Sequence, residues 1–275
     1  MKKNIFLIIF IMSCQVLNAQ HKPDPNFHLY LLIGQSNMAG RGKVDSLSYP
    51  NNTRILMLSK DNEWVVAKDP LHFDKPKVAG VGPGLRFAQT MLTYQANKNV
   101  RIGLIPCAVG GSPIEAWEPG KEFIGYHPYD DAMERLRIAL KSGALKGILW
   151  HQGESNSNET KSKIYLSQLK NLIERLRSEV DDKNIPFVAG ELGYYRPRYH
   201  LINDVLKELP GAVPGTAVAS ALGLTHKGDT THLDTGSERI LGERMANQMY
   251  SLQTAPPYNA KKSWWHKFFK KRSNQ

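Results

Sequence analysis

Ser36 stands in the run Gly34-Gln35-Ser36-Asn37-Met38, directly behind the apolar stretch from Phe27 to Ile33. Far downstream, Asp229-Thr230-Thr231-His232 sets an acid three residues before a histidine. A hydroxyl is a poor nucleophile at its own pKa and needs a neighbouring imidazole to take its proton. An acid beside that imidazole holds one tautomer and stabilises the ring once it is charged. These types can supply acyl transfer with Ser36 as nucleophile, His232 as base and Asp229 as the acid that orients it. Each piece also has a bland reading. A serine behind a strand is a common helix cap, and Asp229 or Thr231 can cap the next helix while His232 fills the surface. Asp234 competes with Asp229 as the acid and suits a cap equally well. The serine run is not the Gly-x-Ser-x-Gly elbow of other hydrolases, because position 38 is Met38.

Two further segments carry candidate chemistry. Ile105 to Ser112 closes an apolar run with Gly110 and Gly111, whose small size lets a backbone N–H approach a ligand. Gly110 can supply one oxyanion donor, and the plain alternative is a tight turn. Trp150-His151-Gln152-Gly153-Glu154-Ser155-Asn156 packs unusual polar density behind another run. The Gln152 amide can donate to an oxyanion, a contribution of roughly 3 kcal/mol for a preorganised donor. Glu154 braces the loop or meets substrate. His151 and Glu154 invite a metal reading, but no third ligand stands at a useful spacing, so neither metal nor cofactor is expected. Glu191 orders its neighbouring loop or contacts substrate, and Gln35 and Asn37 support the serine from either side.

The elements that must position these groups follow from hydrophobic pattern. Short, nearly continuous apolar runs at Leu29–Ile33, Val100–Pro106, Leu145–Trp150 and Pro186–Ala189, with a weaker one at Ala217–Ala219, suit parallel strands covered on both faces. Between them lie helical stripes. Pro83 opens one through Phe87, Met91 and Leu92. Others run from Tyr129 to Leu140, through Leu166, Leu169, Leu172, Ile173 and Leu176, and from Ser237 through Ile240, Leu241, Met245 and Met249. Alternation of this kind predicts a three-layer α/β/α sandwich with a parallel sheet of about five strands and right-handed crossovers. The insert from Gly42 to Gly80 is expected to hold a small hairpin, Arg54–Leu58 with Trp64–Ala67. Ligands in such sheets bind outside the carboxyl ends of the strands, where all the candidate loops fall.

Composition sets the outer limits. The 275 residues suffice for one sizeable core. Lys2 and Lys3, the apolar run Ile5–Met12 and Leu17-Asn18-Ala19 have the layout of an export signal, residues 1–19, too short for a permanent membrane anchor. The expected location is periplasmic or extracellular. A rival reading takes Ile11-Met12-Ser13-Cys14 as a lipoprotein box with Cys14 lipidated. Cleavage at Ala19 leaves Cys107 alone, so no internal disulfide is expected, and in its apolar run Cys107 reads as an inert thiol. The net charge of +11 is concentrated at the ends. Lys2 and Lys3 belong to the leader, and Lys261, Lys262, Lys267, Lys270, Lys271 and Arg272 crowd the end, which leaves +3 for the stretch between. The chain therefore divides into the leader, a domain at 20–255 and a basic aromatic tail at 256–275. That tail, with Trp264, Trp265, Phe268 and Phe269, suits weak contact with an anionic surface or glycan, or docking on the body. No nucleic-acid motif is present in the sequence, and no integral membrane segment is expected in the mature form.

Taken in this order, the segments resemble the SGNH (GDSL-like) hydrolase superfamily, closest to its carbohydrate esterase branch of acetylxylan esterases and sialate O-acetylesterase-like proteins. The likeness covers roughly residues 27 to 252. Gly34–Met38 is similar to the family's first block with its attacking serine, and Gly110 to its second-block glycine. Trp150–Asn156 resembles this branch's third block, and Asp229–His232 the last, with acid and base. Many superfamily members place an asparagine donor in a Gly-x-Asn-Asp block, whereas this chain offers Gln152 before Gly153, as the carbohydrate branch does. The resemblance implies a flavodoxin-like sandwich and a serine carbohydrate esterase that removes O-acetyl groups, with Ser36, Gly110 and Gln152 holding the oxyanion and no cofactor. Trp117, Tyr194 and Tyr195 then become candidate sugar platforms. The competing functions are a broader lipase or arylesterase on the same fold and a non-catalytic glycan-binding protein.

Overall fold

The computed structural model describes residues 22–255, so the readings of the leader, of Cys14 and of the basic tail fall outside the described residues. In chain order the elements are β1 (Asp24–Gly34), α1 (Ser36–Ala39), β2 (Ile55–Leu58), β3 (Trp64–Val66), α2 (Pro83–Thr93), β4 (Arg101–Pro106), α3 (Pro128–Leu140), β5 (Gly143–His151), α4 (Glu159–Glu179), β6 (Phe187–Gly190), α5 (His200–Ala212), β7 (Thr216–Ala219) and α6 (Thr235–Thr254). The strands form one sheet in the order β3-β2-β4-β1-β5-β6-β7, parallel except for β3. The five strands expected from the apolar runs are β4, β1, β5, β6 and β7. Without the insert, their order is that of a flavodoxin-like sheet.

The hairpin of the insert forms, but it does not stand apart. β2 pairs in parallel with β4 and lengthens the sheet to seven strands, with β3 as its antiparallel edge. The other departure is α5. Pro210 and Gly211 read as helix breakers, yet Ile202, Leu206 and Leu209 recur at helical spacing and are buried against the sheet.

Alternation along β1 builds two cores. Leu29, Leu31 and Ile33 face α3, α4 and α5, while Tyr30 and Leu32 face α2 and α6. Burial on both sides explains why β1 reads as a continuous apolar run. It also makes the sheet a stiff platform. From β1 the chain crosses to β4 on one side and then returns to β5 on the other, so the carboxyl end of β1 opens at the switch in strand order. Ser36 lies there. The first residue of β1, Asp24, pairs with the first residue of β5, Gly143. Near the far end of α6, Gln253 donates to the Lys146 carbonyl (2.9 Å) and to the Tyr30 hydroxyl (3.2 Å). Both ends of the described chain thus leave at the pole opposite Ser36.

Candidate active site

The turn after β1 is set by backbone pairing. Gly34 adopts φ +133°, and a Cβ there would overlap the His151 carbonyl, which instead accepts the Gln35 N–H at 2.9 Å. The carboxyl end of β1 is thereby stitched to that of β5, and Ser36 opens α1 with only 6% of its surface exposed.

His232 arrives on a different kind of support. After β7 the chain enters a loop closed by a bridge between His226 and Leu233, inside which Gly228 and Thr230 take positive φ. Asp229 Oδ1 accepts the N–H groups of Thr231 (2.9 Å) and His232 (2.8 Å), and its Oδ2 lies 2.7 Å from His232 Nδ1. His232 Nε2 in turn lies 3.1 Å from Ser36 Oγ. Burial pushes the Asp229 carboxyl up. The His232 backbone N–H, the imidazole and the Thr231 N–H outweigh it and hold Asp229 well below the usual carboxylate range. Burial lowers the His232 pKa, and Lys227 and Arg41 add to that, while Asp229 opposes it. The net shift favours the neutral ring, the form able to accept a proton. Asp234 is the cap: its carboxylate accepts the Ser237 N–H at 2.8 Å at the start of α6 and also takes a bond from the Thr225 hydroxyl.

The expected oxyanion donors are placed differently. The Gly110 N–H donates to Asp74 Oδ2 at 2.7 Å, and Asp74 is paired at 2.7 Å with Arg41, both side chains almost wholly buried. Gly110 is needed because a Cβ there would overlap that ion pair. Gln152 is fully buried, and its Nε2 faces three acceptors: Gln35 Oε1 (3.1 Å), the Ser112 carbonyl (3.1 Å) and Asn156 Oδ1 (2.8 Å). Tyr165 donates to its Oε1 at 2.8 Å. An amide with two hydrogens has none to spare there. Gly110 and Gln152 were expected to aim at an oxyanion; in this arrangement their donors meet scaffold acceptors. Among the described residues, the N–H groups of Ser36 and Gly111 have no acceptor. The Gly110 carbonyl accepts from Lys75 Nζ at 2.9 Å, so the N–H of the same peptide, that of Gly111, points the other way.

The supporting residues sort themselves by burial. His151 is fully buried, with its Nε2 3.0 Å from the Glu191 carbonyl, and burial lowers its pKa to about 4. It is a neutral structural ring. Glu191 accepts from Tyr194 (3.0 Å), Ser220 (2.9 Å) and the Ala221 N–H (3.1 Å), so it orders the loops after β6 and β7. Trp117 is 1% exposed, donates to Ser112 Oγ at 3.1 Å and packs edge-on against Trp150. It is core and cannot stack on a sugar, which corrects its assignment as a platform. Tyr195 donates to the Thr231 carbonyl at 3.0 Å and Arg196 to Thr231 Oγ1 at 3.1 Å, so both brace the base loop. Tyr194 remains exposed. Burial lifts the Cys107 thiol to about 11 and leaves it inert at neutral pH.

Three residues with no sequence signal enter the site from the insert and from the turn before α3. Asp74 and Lys75 flank Gly110, and the Phe123 ring lies where a Cβ on Gly111 would come into ordinary contact with it. Among the described residues, no cluster of acid, histidine or cysteine side chains is arranged to hold a metal ion.

A doubly wound sheet with a serine, an imidazole and a carboxylate in line at its carboxyl edge defines an SGNH-like esterase scaffold. Residues 26–251 match the profile of the carbohydrate esterase family described as sialic acid-specific acetylesterase, and the chain belongs to that family. A probable carbohydrate esterase of Arabidopsis thaliana is 32% identical over 247 residues, which span 83% of this chain and 92% of that protein. A solved structure of the Arabidopsis protein superposes with a TM-score of 0.74 at 31% identity, covering 83% of this chain and 99% of that one. Human sialate O-acetylesterase is 30% identical over 166 residues, 47% of this chain but only 31% of its own length. The protein is a carboxylic ester hydrolase.

Proposed function

We propose that the protein removes O-acetyl groups from sugars by two-step acyl transfer. His232 takes the Ser36 proton as Ser36 Oγ attacks the acetyl carbonyl, and Asp229 stabilises the imidazolium. The tetrahedral oxyanion is received by the N–H groups of Ser36 and Gly111, which have no acceptor among the described residues. His232 then gives its proton to the departing sugar hydroxyl and later activates the water that releases acetate. The observation that carries this reading is the continuous relay from Asp229 Oδ2 to His232 Nδ1 (2.7 Å) and from His232 Nε2 to Ser36 Oγ (3.1 Å).

The family profile and the human relative are named for sialate, so O-acetylated sialic acid is the first substrate to test. The test incubates the protein with acetylated sialate, xylan and pectin and measures released acetate, with Ser36→Ala as control. Acetate release from a sugar that vanishes in Ser36→Ala is the expected result. Near-normal turnover in the folded variant sinks the mechanism, and hydrolysis confined to simple aryl esters sinks the substrate class.

The same reading carries export by the leader to the periplasm or exterior. The basic aromatic tail of residues 256–275 can meet an anionic surface. Among the described residues no helix is long and apolar enough to cross a membrane. Sequencing the amino end of the protein recovered from its host tests export; an intact Met1 would rule out cleavage of the leader.

A further inference from the structure

The relay has to join two segments that no strand pairing holds together, and one side chain does so directly. Asn37 follows Ser36 and is 2% exposed. Its Oδ1 accepts the Leu233 N–H at 3.0 Å, and its Nδ2 faces the Thr231 carbonyl at 3.2 Å and Glu154 Oε1 at 2.6 Å. Residues 231 and 233 flank the base. One carboxamide therefore binds the chain just before and just after His232, starting from the residue next to the nucleophile. The remaining backbone groups of His232 are spent inside its own loop, its N–H on Asp229 and its carbonyl on the Lys227 N–H at 2.9 Å.

We propose that Asn37 is a positioning residue that sets the separation of Ser36 from His232, and that Glu154 fixes the orientation of its amide. The role demands an amide. The Leu233 N–H needs an acceptor, while the Thr231 carbonyl and Glu154 need donors, and only a carboxamide offers both from one sp² carbon. Glu154 decides which way round it sits. The other Glu154 oxygen is buried with no hydrogen-bond partner among the described residues, and burial raises its carboxyl, with Glu238 of α6 as a buried acid close by. A carboxyl that keeps its proton can still accept from Asn37, so the clamp does not require a buried charge.

The inference rests on the proposed mechanism, and the experiment separates the two. Ser36→Ala, Asn37→Ala, Asn37→Asp, Glu154→Ala and Glu154→Gln are compared in the whole chain on a soluble acetyl ester, 4-nitrophenyl acetate, with kcat, KM, thermal midpoint and pH profile measured. Loss of near-attack geometry at this scale costs about 100-fold. Asn37→Ala is expected to lower kcat by about that factor with KM within about twofold. Its acid limb should move up toward the ordinary imidazole value as the released His232 gains water. The groups that face His232, namely Asp229 and Lys227 from its own loop, Arg41 behind α1 and Ser36, are unchanged in that variant. Asn37→Asp should fall at least as far, because it turns an oxygen toward the Thr231 carbonyl and Glu154. Glu154→Ala should lose several-fold more than Glu154→Gln, which retains an acceptor oxygen.

Folded Asn37→Ala with kcat within about threefold of the parent, or with an unmoved acid limb, overturns the proposal. If Asn37→Ala does not fold, equal losses in the two Glu154 variants overturn it instead. Activity in Ser36→Ala would remove the mechanism itself. An inactive Ser36→Ala beside fully active Asn37 variants would remove only the clamp.

Discussion

Ser36 Oγ and His232 Nε2 sit 3.1 Å apart, yet the two residues are held by opposite means. Ser36 follows a strand buried on both faces, its turn forced by Gly34 and pinned to β5 through the His151 carbonyl. His232 lies on a half-exposed loop with positive φ at Gly228 and Thr230, held by the side chains of Asp229, Asn37, Tyr195 and Arg196. Backbone pairing in a sheet is cooperative and shared among many residues, whereas each side-chain bond to the loop can be removed alone. The nucleophile segment should respond to substitution through stability, and the base loop through activity.

The sharpest test of the loop is Asp229→Asn. The Asn oxygen can still accept the Thr231 and His232 N–H groups, so the turn survives, but its NH₂ then faces His232 Nδ1 and selects the wrong tautomer. A loss of kcat of roughly 10²- to 10⁴-fold, at a thermal midpoint close to the parent's, is expected from steady-state assay and calorimetry. A large drop in midpoint would instead show that the loop depends on the charge for its fold.

The matching test of the sheet-borne segment is Gly34→Ala. The added Cβ meets the His151 carbonyl and the residue is held at φ +133°. Denaturant unfolding should show a loss of about 2–4 kcal/mol, since strain and a disturbed backbone pairing both contribute. An unchanged midpoint would contradict the idea that the turn is rigidly imposed.

The mildest effect concerns pH. His232 has its pKa lowered, chiefly by burial, so kcat/KM should rise with pH through an apparent value below 6.5 and then level off. Making the loop wetter, by Arg196→Ala or Tyr195→Phe, should move that limb slightly upward. A limb above the ordinary imidazole value would mean that the charge of Asp229 outweighs desolvation.

Much of the fold was legible because parallel strands and their covering helices write plain patterns: β1, β4, β5, β6 and β7 appear as apolar runs, and α2, α3, α4 and α6 as stripes. The joining of β2 to β4 was not legible, since an isolated hairpin and a sheet extension have the same local pattern. α5 was masked by Pro210 and Gly211. Within the site, Ser36, His232 and the competing acids Asp229 and Asp234 could be named from residue type and order. The occupancy of Gly110 and Gln152 did not, because a donor in a sequence carries no sign of which acceptor packs against it. Asp74 is the clearest case: nothing around it in the insert marks a partner for Gly110.

The sequence by itself determined the layer architecture and offered Ser36, His232 and two competing acids, because hydrophobic period and chemical type are local properties of a chain. Only the tertiary structure decided which acid serves the base and which caps a helix, which aromatic is core, and which donors remain free. Those outcomes depend on neighbours brought from distant segments, and burial and hydrogen-bond saturation exist only once the chain has closed around them.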